Sequence, residues 1–373
     1  MTIFKPLAAD DRVSTKTLLH EAIPITGTIL SGTYGSHVTA STNVQNFTHG
    51  MFQSVYDYPY LSSSANHIFD ISVGTSNTGL TTSVQTAKKD NIYNQMAQVL
   101  MGYDQEGKIQ KFDADGNLIA GGDEINDAIF LSFSRLLVKD EIKKGSFELE
   151  LGVNGAYATP MTKRIKIVDQ GAATSYRVNS PAGEFGILYA TASVGSVLDT
   201  TSTNTASIDG NKYWRAGLIY YQAGVAVLTS SILGATGAVG GLGFLTGLGA
   251  TKLDFDGAGT TFTGSLAAKE ISASADFLRN RIFNLQFNNT IELNSTVYFC
   301  RAKHNEFNYS SNPTYLSGSQ IRVKNQTTDI PISYITSIGL YSSDNQLLAV
   351  GKFSEPIRKD SNIELTFRAR LDY

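Results

Sequence analysis

Cysteine is almost missing from this chain: Cys300 stands alone among 373 residues. No internal disulfide can form, and no four-thiolate metal site can be built. Charge is thin as well. Asp, Glu, Lys and Arg make up 17% of the sequence, against about 25% in an average soluble domain. The net charge of −3 excludes a strongly basic nucleic-acid binder, and no run of like charges marks a binding tail. Proline is scarce, with 8 residues, and the 5 histidines (His20, His37, His49, His67, His304) include no pair at helical ligand spacing and no HExxH. Residues 1–10 carry neither a basic region nor an apolar stretch, so no secretory signal is expected there and folding in a cytoplasm is.

Small polar and aromatic residues are abundant instead. There are 36 Ser, 36 Thr, 34 Gly, 18 Tyr and 19 Phe, with 42% hydrophobic residues overall. This mixture excludes intrinsic disorder and favours strands and turns over long helices. The length suits two or three compact domains. The expected fold class is mainly β, of antiparallel hairpins in a sandwich-like arrangement, with one or two short helices.

Two segments lack charge altogether. Residues 216–251 are long enough to cross a bilayer, but glycines crowd positions 237–249. The first half reads as a hairpin, Gly217–Tyr221 and Val225–Thr229 around Gln222-Ala-Gly224. A buried hairpin is therefore expected, not a membrane span. Residues 22–56 also carry no Asp, Glu, Lys or Arg, so this segment is expected to lie along another chain or across its own domain.

Along the chain, Asp90 is read as the cap of a helix with a stripe of Ile92, Met96, Val99 and Leu100, ended by Gly102. Residues 128–133 suit a strand as well as a helix. Phe147, Leu149, Leu151 and Val153 alternate with Glu148 and Glu150, the period of a half-buried strand. Residues 164–168 and 175–179 are read as a hairpin about Asp169-Gln-Gly-Ala172. Residues 191–212 and 254–275 are low in complexity and read as loops. Phe283, Leu285 and Phe287 are placed on one strand face. At the C-terminal end, 334–341 and 346–353 form a hairpin, 355–360 a loop and 363–371 a strand with one polar face. The organisation expected is an extended N-terminal assembly segment (1–60), a β-rich domain with a short helix (61–190), an insertion with an apolar hairpin and glycine-rich loops (191–275), and a C-terminal antiparallel β domain (276–373).

Motifs for chemistry do not accumulate. Asp113, Asp115, Asn117 and Glu124 fall at calcium-loop positions, but the glycine required at the sixth position is Leu118, so a hairpin turn is the better reading. The 237–249 glycines lack the Gly-Lys-Ser/Thr ending of a phosphate loop, and no GxSxG is present. Glu148 and Glu150 are expected to be solvated, and Cys300, between Phe299 and Arg301, to be a buried, inert thiol. The sequence offers no catalytic, cofactor-binding or metal-binding residues.

Several stretches resemble a known group. The run Tyr334 to Phe353, with Ile338-Gly-Leu-Tyr341 and Leu347-Leu-Ala-Val-Gly-Lys352, is similar to segments of contractile-tail phage structural proteins. Arg301–Tyr315, Asn179–Tyr189, Gly217–Thr229 and Leu61–Phe69 are similar to the same group, in particular to virion structural proteins of T4-like cyanophages. The 191–212 and 254–275 stretches match nothing in it. The resemblance implies a non-enzymatic virion subunit, assembled in the host cytoplasm and associated with the tail or baseplate. Its partners would be other virion structural proteins in a homo-oligomer, ring or wedge, without nucleic acid, cofactor or membrane span. Residues 22–60 and 301–318 are the expected partner-contacting segments, the first uncharged as far as residue 56 and the second aromatic, polar and interrupted by Pro313. A neck, fibre or capsid-decoration role is the alternative. A receptor-binding or glycan-cleaving tail protein is a further one, calling for a repetitive β-helix stem or a carboxylate cleft that the sequence does not display.

Overall fold

The computed structural model describes residues 4–26, 43–57, 59–76, 83–117, 123–133, 141–195, 198, 204–234, 245, 253–262, 264–310, 316–317, 320–321, 328 and 330–372. It is mainly β, with 48% strand, antiparallel sheets and only a few short helices. In chain order the elements are β1 (Arg12–Thr26), β2 (Val44–Asn46), β3 (Phe52–Tyr56), β4 (His67–Thr75), α1 (Val84–Leu100), β5 (Asp127–Ser132), β6 (Glu141–Ile142), β7 (Glu148–Gly152), β8 (Arg164–Val168) and the one-turn α2 (Ala172–Ser175). There follow β9 (Arg177–Ser180), β10 (Gly183–Val194), β11 (Thr205–Ile208), β12 (Asn211–Tyr220), β13 (Val225–Thr229), α3 (Ile271–Arg279), β14 (Ile282–Ala302), β15 (Leu316–Ser317), β16 (Gln320–Ile321), β17 (Ile332–Tyr341), β18 (Leu347–Asp360) and β19 (Leu365–Asp372). Contacts divide the chain into two compact units, residues 20–291 and residues 1–19 with 292–373.

The larger unit is one antiparallel sheet in the order β14, β7, β8, β10, β12, β13, β5, β4, β3, β2. It curls around a core. The Phe133 ring, just past β5, lies 5.9 Å from Phe69, 6.0 Å from Phe147 and 5.4 Å from Phe287, bringing side chains from both halves of the sheet together. Its other face is covered by α1. Ile219, Tyr221, Ala226, Leu228, Ile129 and Leu131 enter the first core. Their neighbours Leu218, Tyr220, Val225, Val227, Ala128 and Phe130 enter the second, with Ile92, Tyr93, Ala97 and Leu100 of the helix. This explains the missing charge from residue 216 to 229. The hairpin reading was right: Gly217 pairs with Leu228 and Tyr220 with Val225, and a strand buried on both faces has no solvent side on which to carry polar residues. Among the described residues no helix is long and apolar enough to cross a membrane.

Helix α1 begins earlier than the sequence suggests. Ser83 is its N-cap, with its hydroxyl accepting from the Thr86 N–H at 3.2 Å. Asp90, expected as the cap, lies buried inside the helix and accepts from the Thr75 hydroxyl at 2.9 Å. The buried positions Thr86, Lys89, Asp90, Tyr93, Ala97 and Leu100 follow the helical period, which leaves Val99 65% exposed. Gly102 ends the helix as expected, at φ +83 with its N–H on the Ala97 carbonyl. The helix comes so close to β4 that a Cβ on Gly74 would stand 2.8 Å from the Tyr93 backbone nitrogen.

Other boundaries differ for identifiable reasons. Residues 128–133, ambiguous in sequence, lie almost wholly in β5. The expected hairpin of 164–168 with 175–179 does not form: β8 pairs with β7 and β10, whereas β9 pairs with the start of β10. Asp169 and α2 occupy the connection. Part of the 191–212 loop is the β11–β12 hairpin, turned by Asp209 at φ +51 and Gly210 at φ +78. The 254–275 tract includes the start of α3. Phe283 leaves the face of Leu285 and Phe287 because the register shifts between Ile282 and Asn284, and its exposed ring lies 3.9 Å under the Arg164 guanidinium. The glycine-rich 237–244 and 246–249 lie outside the described residues.

Candidate assembly surface

In the smaller unit, Ser295–Ala302 of β14 pair with Leu365–Asp372 of β19. β17 and β18 form a separate two-stranded hairpin. Its turn is the one expected, closed by the Ser342 N–H on the Gln346 carbonyl at 2.9 Å, with Asn345 at φ +60. β18 runs on to Asp360, where a loop was expected over 355–360, and Ile335 faces Ile357 across the pair. Pro356 fits because it falls in the register shift between Ile335 and Ser337, which leaves it without a partner residue across the pair.

The two ends of the hairpin differ in chemistry. Its base is polar and pinned. Lys359 is fully buried and donates to the His304 carbonyl at 3.2 Å, Asn308 Oδ1 at 2.6 Å and the Asp360 carbonyl at 2.8 Å, while the Ser333 hydroxyl donates to the Phe307 carbonyl. Lys5 bridges Glu306 and the Arg301 carbonyl, and Asp11 pairs with Arg301 at 2.7 Å. The described part of the 301–318 segment is thus engaged by its own unit, although Tyr309 remains 54% exposed. Residues 311–315 and 318 lie outside the described residues.

Towards the turn the hairpin is apolar. One face, with Ile338, Leu340, Ala349 and Phe353, is half-buried, and the Phe353 ring lies 4.8 Å from Phe367 of β19. The other face is exposed. Gly339 and Val350 stand opposite each other, flanked by Tyr341, Leu347 and Leu348. Leu348 is 68% and Val350 66% exposed, and the Phe4 ring meets Tyr341 edge-on at 4.7 Å. Clustered apolar side chains on an open strand pair are unusual on a free surface, and they mark places where proteins associate. The sequence identified this hairpin but not its uncovered face.

In the 22–60 segment, residues 43–57 form β2, β3 and their turn at the end of the large sheet, with Val44 and Val55 buried. Residues 27–42 and 58 lie outside the described residues.

The remaining chemical candidates are engaged locally. Asp113 closes a turn with its carbonyl on the Gly116 N–H, Asp115 Oδ1 accepts from the Asn117 N–H, and Glu124 pairs with Lys111 at 2.8 Å. Glu148 pairs with Lys166 at 2.8 Å, and Glu150 accepts from the Ser193 hydroxyl at 2.6 Å. Cys300 is half-buried and its thiol is pushed up by burial, away from the reactive thiolate. Among the described residues no group of three or more His, Cys, Asp or Glu side chains is placed to hold a metal ion.

Three buried ionisable groups were not anticipated, and each fastens a loop in the larger unit, Lys89 doing so from helix α1. Arg281, its pKa lowered to about 10 by burial, donates to the carbonyls of Gly152, Asn154 and Asp254. Lys89 holds the carbonyls of Leu266, Ala267 and Lys269. Asp169 accepts from the N–H groups of Gly145 and Phe147 and from the Tyr221 hydroxyl. Burial outweighs these bonds and pushes Asp169 up to about 6. Between the unfolded value near 3.9 and about 6, the folded state binds the extra proton. Stability contributed by this group is therefore full at low pH and falls by about 3 kcal/mol as pH rises to 6, then stays level. Asp169→Asn should lack that slope, so the difference in urea-unfolding stability between wild-type and variant should change by about 3 kcal/mol across this window. A difference that does not change with pH would contradict the assignment.

The chain matches no protein-family model, no curated protein and no solved structure.

Proposed function

We propose that the chain is a non-enzymatic structural subunit of a contractile phage virion, a tail or baseplate component that binds neighbouring virion proteins through strand edges and apolar hairpin faces. The observation that carries an assembly role is the uncovered face of β17 and β18, with Leu348 and Val350 both about two-thirds exposed beside Tyr341 and Leu347. The pinned base at Lys359 holds such a face ready for a partner, so little ordering entropy is lost on docking. Strand addition supplies main-chain hydrogen bonds, and the apolar side chains supply desolvated contact. The phage assignment rests on the resemblance of 334–353, 301–315, 179–189, 217–229 and 61–69 to virion proteins.

The test is a double substitution, Leu348→Glu with Val350→Glu, in a culture producing contractile-tailed particles from the gene. Both side chains are exposed, so the variant should fold with an unchanged melting temperature and yet be missing from purified particles. Gold-labelled antibody should mark wild-type particles at the distal tail. Normal incorporation of the variant would overturn the surface, and absence of label from intact and disrupted particles would overturn the virion reading.

A further inference from the structure

A cleft of 310 Å³ opens between the β2–β3 turn and the first turns of α3. One wall is aromatic. Phe47 and His49 stack with centroids 5.2 Å apart and planes 6° from parallel, and Phe52 stands 4.7 Å from Phe47. The turn presenting them is closed by the Gly50 N–H on the Phe47 carbonyl, with Gly50 at φ +63. The other wall carries Ser272 and Asp276 of α3. The buried Gln53 amide ties the walls together, its Nε2 donating at 2.8 Å both to Asn46 Oδ1 and to Asp276 Oδ1.

These bonds decide what the lining groups can offer. With Oδ1 engaged, Asn46 presents its Nδ2 as a donor, and Asp276 presents Oδ2 as an acceptor. Gln53 Oε1 is buried without a hydrogen-bond partner. The cap of α3, Glu270, makes no side-chain hydrogen bond, which leaves the first-turn amides of Ile271 and Ser272 as donors at the cleft wall. The cleft therefore brings both donors and acceptors beside an apolar, aromatic patch.

Charge excludes ligands of either sign. An anion drawn to the α3 amides would meet the Asp276 carboxylate. A cation drawn to Asp276 would meet the positive end of α3 and the Arg279 guanidinium, 3.0 Å from Asp276 Oδ1. A neutral polyhydroxyl ring satisfies every constraint. Its hydroxyls exchange hydrogen bonds with carboxylate, carboxamide and amide N–H, and its C–H face lies on an aromatic ring. The volume, at the lower end of the ~300–1,000 Å³ found for small-molecule sites, suits a single ring. We infer that this cleft binds one neutral sugar ring, with Phe47 and Phe52 as its platform and Asn46 and Asp276 as its polar anchors. The site lies wholly within residues 20–291 and stands whether or not the assembly role does.

Saturation-transfer-difference NMR on the full chain, with glucose, galactose, mannose, rhamnose and N-acetylglucosamine as separate probes at millimolar concentration, tests this. At least one sugar should receive saturation, strongest at its C–H protons. Phe47→Ala should weaken its binding about tenfold. Asn46→Asp keeps the acceptor for Gln53 while removing the Nδ2 donor, and should abolish the signal with an unchanged melting temperature, so the test survives if Phe47→Ala does not fold. Transfer to none of the sugars, transfer unaffected by Asn46→Asp, or preferential binding of inorganic phosphate or tetramethylammonium would each overturn the proposal.

Discussion

Lys89→Met is expected to destabilise the larger unit by about 3–5 kcal/mol, the range for breaking a buried charged network by removing one partner. Lys89 is fully buried at 0% exposure and holds three carbonyls, of Leu266, Ala267 and Lys269, against the first turns of α1. Burial pulls its pKa down, and the neighbouring carboxylates of Asp127 and Asp90 oppose that shift. Methionine fills the same space but leaves the carbonyls without a donor and Asp127 without its cation. Urea unfolding followed by tryptophan fluorescence measures the loss. Lys88→Met is the control, since Lys88 makes one exposed bond to the His49 carbonyl and should cost under about 1 kcal/mol. Equal effects at 88 and 89 would refute the clamp.

Gly217→Ala should be comparably damaging. Gly217 sits at φ +151 in the central strand β12, and a Cβ there would lie 1.9 Å from the Val227 carbonyl oxygen. That atom belongs to the paired strand β13, so it cannot swing aside as a flexible side chain would. Strain and overpacking together predict a loss of about 3–5 kcal/mol. Gly210→Ala separates the two causes. Gly210 has a positive φ of +78 but open space around its Cα, so alanine there should cost only about 1 kcal/mol. If both variants lose the same amount in urea unfolding, close strand approach at Gly217 is not the cause.

The parts of this fold that could be read in advance are those in which local pattern and tertiary placement agree. The 217–229 hairpin declared itself through an apolar run split by Gln222-Ala-Gly224, and the 334–353 hairpin through a polar turn. The start of α1 was hidden because Ser83 follows Thr81 and Thr82, three similar capping residues in a row, while Asp90 looked like a cap from its identity alone. Phe283 misled because a bulge inverts the faces after Ile282, and bulges leave no composition signal. Pro356 suggested a loop where the strand uses a bulge to pass it. As for the sites, alternation marked β17 and β18 as a hairpin but cannot tell a covered face from an open one. The sugar cleft was illegible because its walls are far apart in sequence, Gln53 and Asp276 being 223 residues apart.

The hairpin walled in by two cores has a consequence for how the chain reaches its native pairing. In most antiparallel sheets a strand that slips by one residue turns apolar groups to water, and that cost rejects the error. Along β12 and β13 both alternating sets are apolar, Ile219 and Tyr221 on one side and Leu218 and Tyr220 on the other. Sliding by one position would trade one greasy surface for another. Discrimination must therefore come from shape: the missing side chain at Gly217 against Val227, and the bulge between Leu188 and Tyr189 that sets β10 against β12. Fidelity of folding at the centre of this sheet is kept by steric fit, where neighbouring proteins commonly keep it by solvation.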